Sequence, residues 1–238
     1  MGAGKMTAVF LQVRLDSQRF PQKALAELAG RTVIEHAMAA LNDVSTDRHV
    51  VLTDEASASR LSPYAKRGGF ELYAGDPDDV LARFAAAAKR YGPKTIVRAT
   101  GDNPLVSTKV AAANLETHFE SQSDFTALTD SPLGTGVEVV EVPALLQAAE
   151  EAEDPYEREH VSPFIYRRRE RFRVHVQSVP AAWRYPQARV TLDTKDDYEY
   201  LKEIFKTLYS GSPIGIESLV AHLARAEHRP GVSRRHSA

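Results

Sequence analysis

Near the amino end, Arg14, Ser17, Arg19, Pro21 and Lys23 follow directly on an apolar run, Ala8 to Val13. Three cations in ten residues straight after a buried-type strand need an anion to justify them. Carboxylates recur at other strand ends: Gly75-Asp76-Pro77-Asp78-Asp79, Gly101-Asp102-Asn103-Pro104 and Leu192-Asp193-Thr194. Arginine grips phosphate oxygens as a fork and lysine as a point charge. Aspartates from separate strand ends can hold Mg²⁺, which takes one or two carboxylates together with phosphate oxygens and water. The division of labour therefore suits a nucleoside triphosphate with magnesium. Gly101 would let the backbone approach the ligand, and Pro104 would stiffen the turn. Each feature alone has a plainer reading. Arg14, Arg19 and Lys23 make a solvated loop, Gly-Asp-Asn-Pro an ordinary turn, and Asp193-Thr194 a helix cap. His160 reads alone as a packed or capping residue. The run 167–173 (RRRERFR) reads as a solvated helix end, or else as an acceptor or interface patch.

The elements that must position these residues follow from periodicity. TAVFLQV, RHVVLTD, FELYAG and KTIVRATGD read as strands, the last breaking at Gly101. Between them TVIEHAMAALND, EASASRLSPYAKRGG and DPDDVLARFAAAAKRYG read as helices. The second ends at a Gly pair, and the third carries its proline and acids in the first turn. Such alternation implies a mostly parallel sheet covered on both faces, with ligands beyond the carboxyl ends of the strands. All four charged segments should therefore meet in one cleft. After residue 123 strands are expected at SDFTAL, GVEVVEV, FRVHVQSV and ARVTL. Helices are expected at Ala144–Glu153, Tyr156–Arg169, KDDYEYLKEIFKTLY and IGIESLVAHLARAE. We read one α/β domain over 1–228 and a disordered tail over 229–238.

Composition narrows the class. The 238 residues are 43% hydrophobic, enough for a sizeable core, and no apolar run approaches the ~18 residues of a membrane span. The first residues lack the apolar segment and cleavage site of a signal peptide. Absence of cysteine excludes disulfides, thiolate metal sites and cysteine nucleophiles, and fits a cytoplasmic protein. A net charge of −2 does not point to nucleic acid, so any bound anion is held locally.

Taken together, RLDSQRFPQKAL resembles the R-x-x-S-x-R-x-P-x-K-x-L opening of the cytidylyltransferases that make CMP-activated sugars. The spore-coat polysaccharide branch, similar to CMP-Kdo synthetase, is the nearest pattern. GDPDDVLARF, VRATGDNPLV, REHVSPFIY and VTLDTKDDYEYL resemble further blocks of that branch in the same order, covering about residues 7–206. The resemblance implies a glycosyltransferase-A-like nucleotidyltransferase fold and transfer of CMP from CTP to a small acceptor, with pyrophosphate released. It implies that Arg14, Ser17, Arg19 and Lys23 face the triphosphate, Arg14 and Lys23 as catalytic cations. Asp102 and Asp193 would be Mg²⁺ ligands. Gly75, Asp76, Asp79, Arg83, Arg98 and Gly101 would serve the nucleotide, and Glu138, Glu159 and His160 the acceptor. A homodimer is expected, with neither membrane nor nucleic acid as partner. Two stretches depart from the pattern. Asp16 stands where the family has Gly or Ser, and Leu133–Glu138 keeps the glutamate of D-G-x-D-V-E but neither aspartate. Two other readings remain open here: the same fold using another nucleotide such as GTP in cofactor synthesis, and a non-catalytic nucleotide-binding scaffold.

Overall fold

The computed structural model describes residues 6–227, so the expected tail lies outside the described residues. The chain opens with β1 (Thr7–Gln12), a loop closed by a single 3-10 turn (Lys23–Leu25), and a small hairpin of β2 (Glu27–Leu28) and β3 (Arg31–Thr32). It continues through α1 (Val33–Asn42), β4 (Arg48–Asp54), α2 (Glu55–Arg67), β5 (Glu71–Gly75), α3 (Val80–Tyr91) and β6 (Thr95–Thr100). Next come α4 (Thr108–Ser121), β7 (Phe125–Thr129), β8 (Glu138–Glu141), α5 (Val142–Glu151), α6 (Pro155–His160) and α7 (Pro163–Tyr166). β9 (Val174–Ser178), α8 (Lys195–Leu208) and α9 (Ile216–Glu227) complete it.

Seven strands form one sheet in the order β5-β4-β1-β6-β8-β7-β9. β5, β4, β1 and β6 are parallel; β8 runs antiparallel to both its neighbours, and β9 is parallel to β7. β1 is buried on both sides because alternate residues serve different layers. Val9 and Leu11 pack with Ile34 and Met38 of α1 and Leu61 of α2. Ala8 and Phe10 pack with Phe84 of α3, Leu145 of α5 and Ile165 of α7. α8 and α9 cover a third cluster that includes Leu105, Val190 and Leu192. Strand order reverses between β1 and β6, so the crevice beyond their carboxyl ends is where an open α/β sheet binds ligands.

Several expected elements differ. α3 starts only at Val80, with Asp79 as its cap, so Pro77 and its flanking acids form the preceding turn. α4 was not anticipated. Tyr156–Arg169 is two short helices, α6 and α7, separated at Val161. Ala188–Leu192 does not join the sheet. It makes a single bridge, Arg189 to Leu133, and runs as a strap whose Val190 N–H donates to Leu133 O (2.8 Å) and Leu192 N–H to Asp102 O (3.3 Å). Run 167–173 is largely exposed; within it Phe172 is buried, and the half-buried Arg168 donates to the buried Glu157 at 2.7 Å and stacks on Phe164.

Candidate active site

Gly101 brings two strand ends together. Its N–H donates to Gln12 O at 2.7 Å, and a Cβ there would lie 2.8 Å from the Val13 Cβ. Only glycine permits that approach, and it places Asp102 against the loop leaving β1. That loop is pinned by Leu15, which is buried and whose N–H donates to Ser57 Oγ at 3.0 Å. It then turns through Gln22 in the left-handed region (φ 58°) into the 3-10 turn that begins with Lys23. From the other side the strap delivers Asp193. Thr194 is the cap of α8, with Asp197 completing a reciprocal capping box, which leaves the Asp193 carboxylate free to face the crevice.

The result is a compact charged cluster. Lys23 Nζ lies 2.6 Å from Asp102 Oδ2, 2.9 Å from Asp193 Oδ1 and 2.7 Å from Leu192 O. Arg19 reaches the same Asp193 oxygen at 3.1 Å, and Arg189 takes the other oxygen. Burial would push the Asp193 carboxyl up, but the bonds and charges of Lys23, Arg189 and Arg19 hold it below the ordinary carboxylate range. Asp102, Asp193, Lys23 and Arg19 thus meet as the sequence suggests. Arg189, which sequence reasoning missed, belongs with them; four residues before Asp193 on a non-helical strap, it carried no periodic signal.

Other expected residues are placed in two neighbouring groups. Gly75, Asp76, Asp79 and Arg83 gather at and beyond the end of β5, two strands from β1. Asp76 accepts from the Asp78 and Asp79 N–H groups, while Asp79 caps α3 and pairs with Arg158, another residue the sequence did not reveal. Together with Asp78, Glu153 and Pro155 these residues line a cleft of about 420 Å³. Arg83 is fully buried: Nη1 donates to Asp76 O at 2.6 Å, and Nε and Nη2 have no partner among the described residues. Burial lowers its pKa; Asp54 opposes the shift and Arg14 adds to it. Arg14 therefore lies toward this group, exposed to solvent, as are Asp16 and Arg19; Ser17 is half-buried. Arg98 is paired across the sheet with Glu138 (2.9 Å), and the buried Ser162 donates to the same Glu138 oxygen at 2.6 Å. Arg98 thus joins the residue expected to serve the acceptor. Glu159 and His160 are exposed at the end of α6, where His160 packs on Tyr156.

Ser162 is held by an unusual turn. Val161 adopts φ 73° and ψ −59°, and the Ser162 N–H donates to His160 O at 2.9 Å, which makes a γ-turn. A buried β-branched residue in that conformation is strained, and such strain concentrates at functional sites.

As to metal, no cluster of three or more acidic, His or Cys side chains suited to an ion occurs among the described residues. Two hard carboxylates, Asp102 just past the end of β6 and Asp193 on the strap, are the donors present. They suit a cation that draws its remaining ligands from phosphate and water.

A family model described as cytidylyltransferase matches residues 8–219. The chain belongs to the cytidylyltransferase family. It is a nucleotidyltransferase. The chain is 30% identical over 223 residues to the spore coat polysaccharide biosynthesis protein SpsF of Bacillus subtilis, covering 90% of this chain and 92% of that one. A 3-deoxy-manno-octulosonate cytidylyltransferase from Aeromonas salmonicida is 28% identical over 62% of this chain and 54% of its own. Among solved structures, a cytidylyltransferase from Leptospira borgpetersenii superposes with a TM-score of 0.86 at 25% identity, covering 98% of each chain. The cytidylyltransferase fold expected from the sequence is thereby shown, and no helix among the described residues is long and apolar enough to cross a membrane.

Proposed function

We propose that this cytidylyltransferase transfers CMP from CTP to a small hydroxyl-bearing acceptor, a sugar acid, an amino sugar or another cell-surface precursor, and releases pyrophosphate. The observation that carries the reading is Lys23 set between Asp102 and Asp193 at the strand-order switch point. In this reading Asp102 and Asp193 hold Mg²⁺, which when bound polarises phosphate oxygens and neutralises charge that develops on them. Lys23 and Arg19 turn to the triphosphate, and Arg14 supports it from the opposite lip. Gly75, Asp76, Asp79 and the buried Arg83 shape the nucleotide side. Glu138, fixed by Arg98 and Ser162, faces the acceptor with its second oxygen, and Glu159 and His160 lie at the rim. The acceptor oxygen forms a bond to the α-phosphorus and gives up its proton to water, as the bond from the α-phosphorus to the bridging oxygen breaks and that oxygen leaves with pyrophosphate. Positioning and charge stabilisation supply the rate.

The test is pyrophosphate release from each of four triphosphates against a panel of acceptors. Release that depends on CTP, on Mg²⁺ and on an acceptor, and that is lost in Asp102→Asn, is the expected result. Release with GTP in place of CTP would move the protein to a different reaction of the same fold.

A further inference from the structure

We propose that Lys23 makes the Asp102–Asp193 pair selective for a metal that arrives already bound to phosphate, and closes the pair to the free ion. This rests on the magnesium role assigned above and adds an order to it. The Lys23 ammonium occupies the space between the two carboxylates, 2.6 Å from one and 2.9 Å from the other, with only 12% of its side chain exposed. Arg19 and Arg189 also contact Asp193. Three cations therefore face the Asp102–Asp193 pair, Arg189 being shared with Asp197 at 3.0 Å. A bare divalent cation must displace Lys23 and then sit beside it, and like charges at such range in a partly buried site repel strongly.

A metal triphosphate changes the balance. Its oxygens offer Lys23 and the largely exposed Arg19 new charge-assisted partners as the metal takes the carboxylates. The lysine is exchanged rather than expelled. Its backbone acceptor, Leu192 O at 2.7 Å, adjoins Asp193 and provides a fixed point about which the ammonium can shift. A metal that enters only with phosphate cannot occupy the carboxylates alone and obstruct the next nucleotide.

The experiment measures protein-bound Mn²⁺ by water proton relaxation, with Mn²⁺ alone and with Mn²⁺ plus inorganic tripolyphosphate. The full chain is expected to bind the ion at least tenfold more tightly in the ternary complex than alone. Lys23→Met is expected to raise the affinity for Mn²⁺ alone at least tenfold, about 1.4 kcal/mol. Adding Asp102→Asn should cancel that gain. Equal affinity of the wild type for the free and the phosphate-bound ion would overturn the proposal, and so would a Lys23→Met protein that binds Mn²⁺ no better. If Lys23→Met does not fold, the two wild-type measurements decide alone. Tripolyphosphate carries no base, so a protein that favours another nucleotide refutes the cytidylyl reading and leaves this inference standing.

Discussion

The turn at Val161 permits a prediction that runs against the usual order of substitutions. At an ordinary buried site glycine is worse than alanine by roughly 1 kcal/mol, since it frees the unfolded chain and buries less. At Val161 the backbone sits at φ 73° with the side chain only 1% exposed. Val161→Ala should cost about 1–2 kcal/mol for its lost methyl groups, and it keeps the backbone strain. Val161→Gly loses slightly more packing but releases strain of about 1–3 kcal/mol, because glycine takes positive φ freely. The glycine variant should therefore be at least as stable as the alanine variant, by about 0–2 kcal/mol from the same terms. Urea unfolding of the three proteins, compared at equal m-values, measures the difference. A glycine variant less stable than alanine by about 1 kcal/mol would refute the strain argument, and with it the reason given for how Ser162 is held on Glu138.

Two further outcomes follow from the ion pairs. Arg168→Ala leaves the buried Glu157 with only the distant Arg167 (3.9 Å) and should cost about 2–3 kcal/mol, or roughly 4–12 °C in Tm. Arg171→Ala, which breaks an exposed pair with Glu151, should leave the melting temperature close to that of the wild type in the same measurement. The pH dependence has a definite sign. Asp193 and Asp197 have folded pKa values held below the ordinary range, so their contribution is present above about pH 4 and is lost as pH falls through the lower folded values. Asp193→Asn should flatten the decline of stability below about pH 4, and an acid-unfolding curve unchanged by that variant would contradict the assignment.

What the sequence revealed and what it hid divide along physical lines. β1, β4 and β6 were legible because strands buried on both faces read as unbroken β-branched and aromatic runs. α4 was not, because its buried face carries Asn114 and His118, which bond inward to Thr126 and Val137 and interrupt the apolar period. Ala188–Leu192 alternates as a strand does, yet its partners are loop carbonyls; local pattern cannot tell a sheet strand from a strap. The break at Val161 left no usable signal: Pro163 disfavours the helical region at Ser162, yet Ser162 adopts it and the turn falls one residue earlier. At the site, Lys23, Asp102 and Asp193 could be named because Lys23 lies in the loop after β1, Asp102 follows β6, and Asp193 follows a strand-like run that folds as the strap. Arg158 and Ser162 stand inside the REHVSPFIY block and Arg189 just before VTLDTKDDYEYL, yet none showed its role, for each reaches its partner only through the folded course of α6, the strap or the γ-turn.

Under the proposed function the lysine–aspartate crevice and the groups beyond β5 together receive CTP with a divalent metal. Calorimetric titration of the full chain with each of four triphosphates in Mg²⁺ is the decisive measurement. CTP should bind at least tenfold more tightly than GTP, ATP or UTP, a margin of about 1.4 kcal/mol. At 100 times its dissociation constant it should add about 2.7 kcal/mol of stability. Asp193→Asn should abolish the metal-dependent part of binding while the protein stays folded. Equal or tighter binding of GTP, or CTP binding indifferent to Mg²⁺ and to Asp193, would contradict the account.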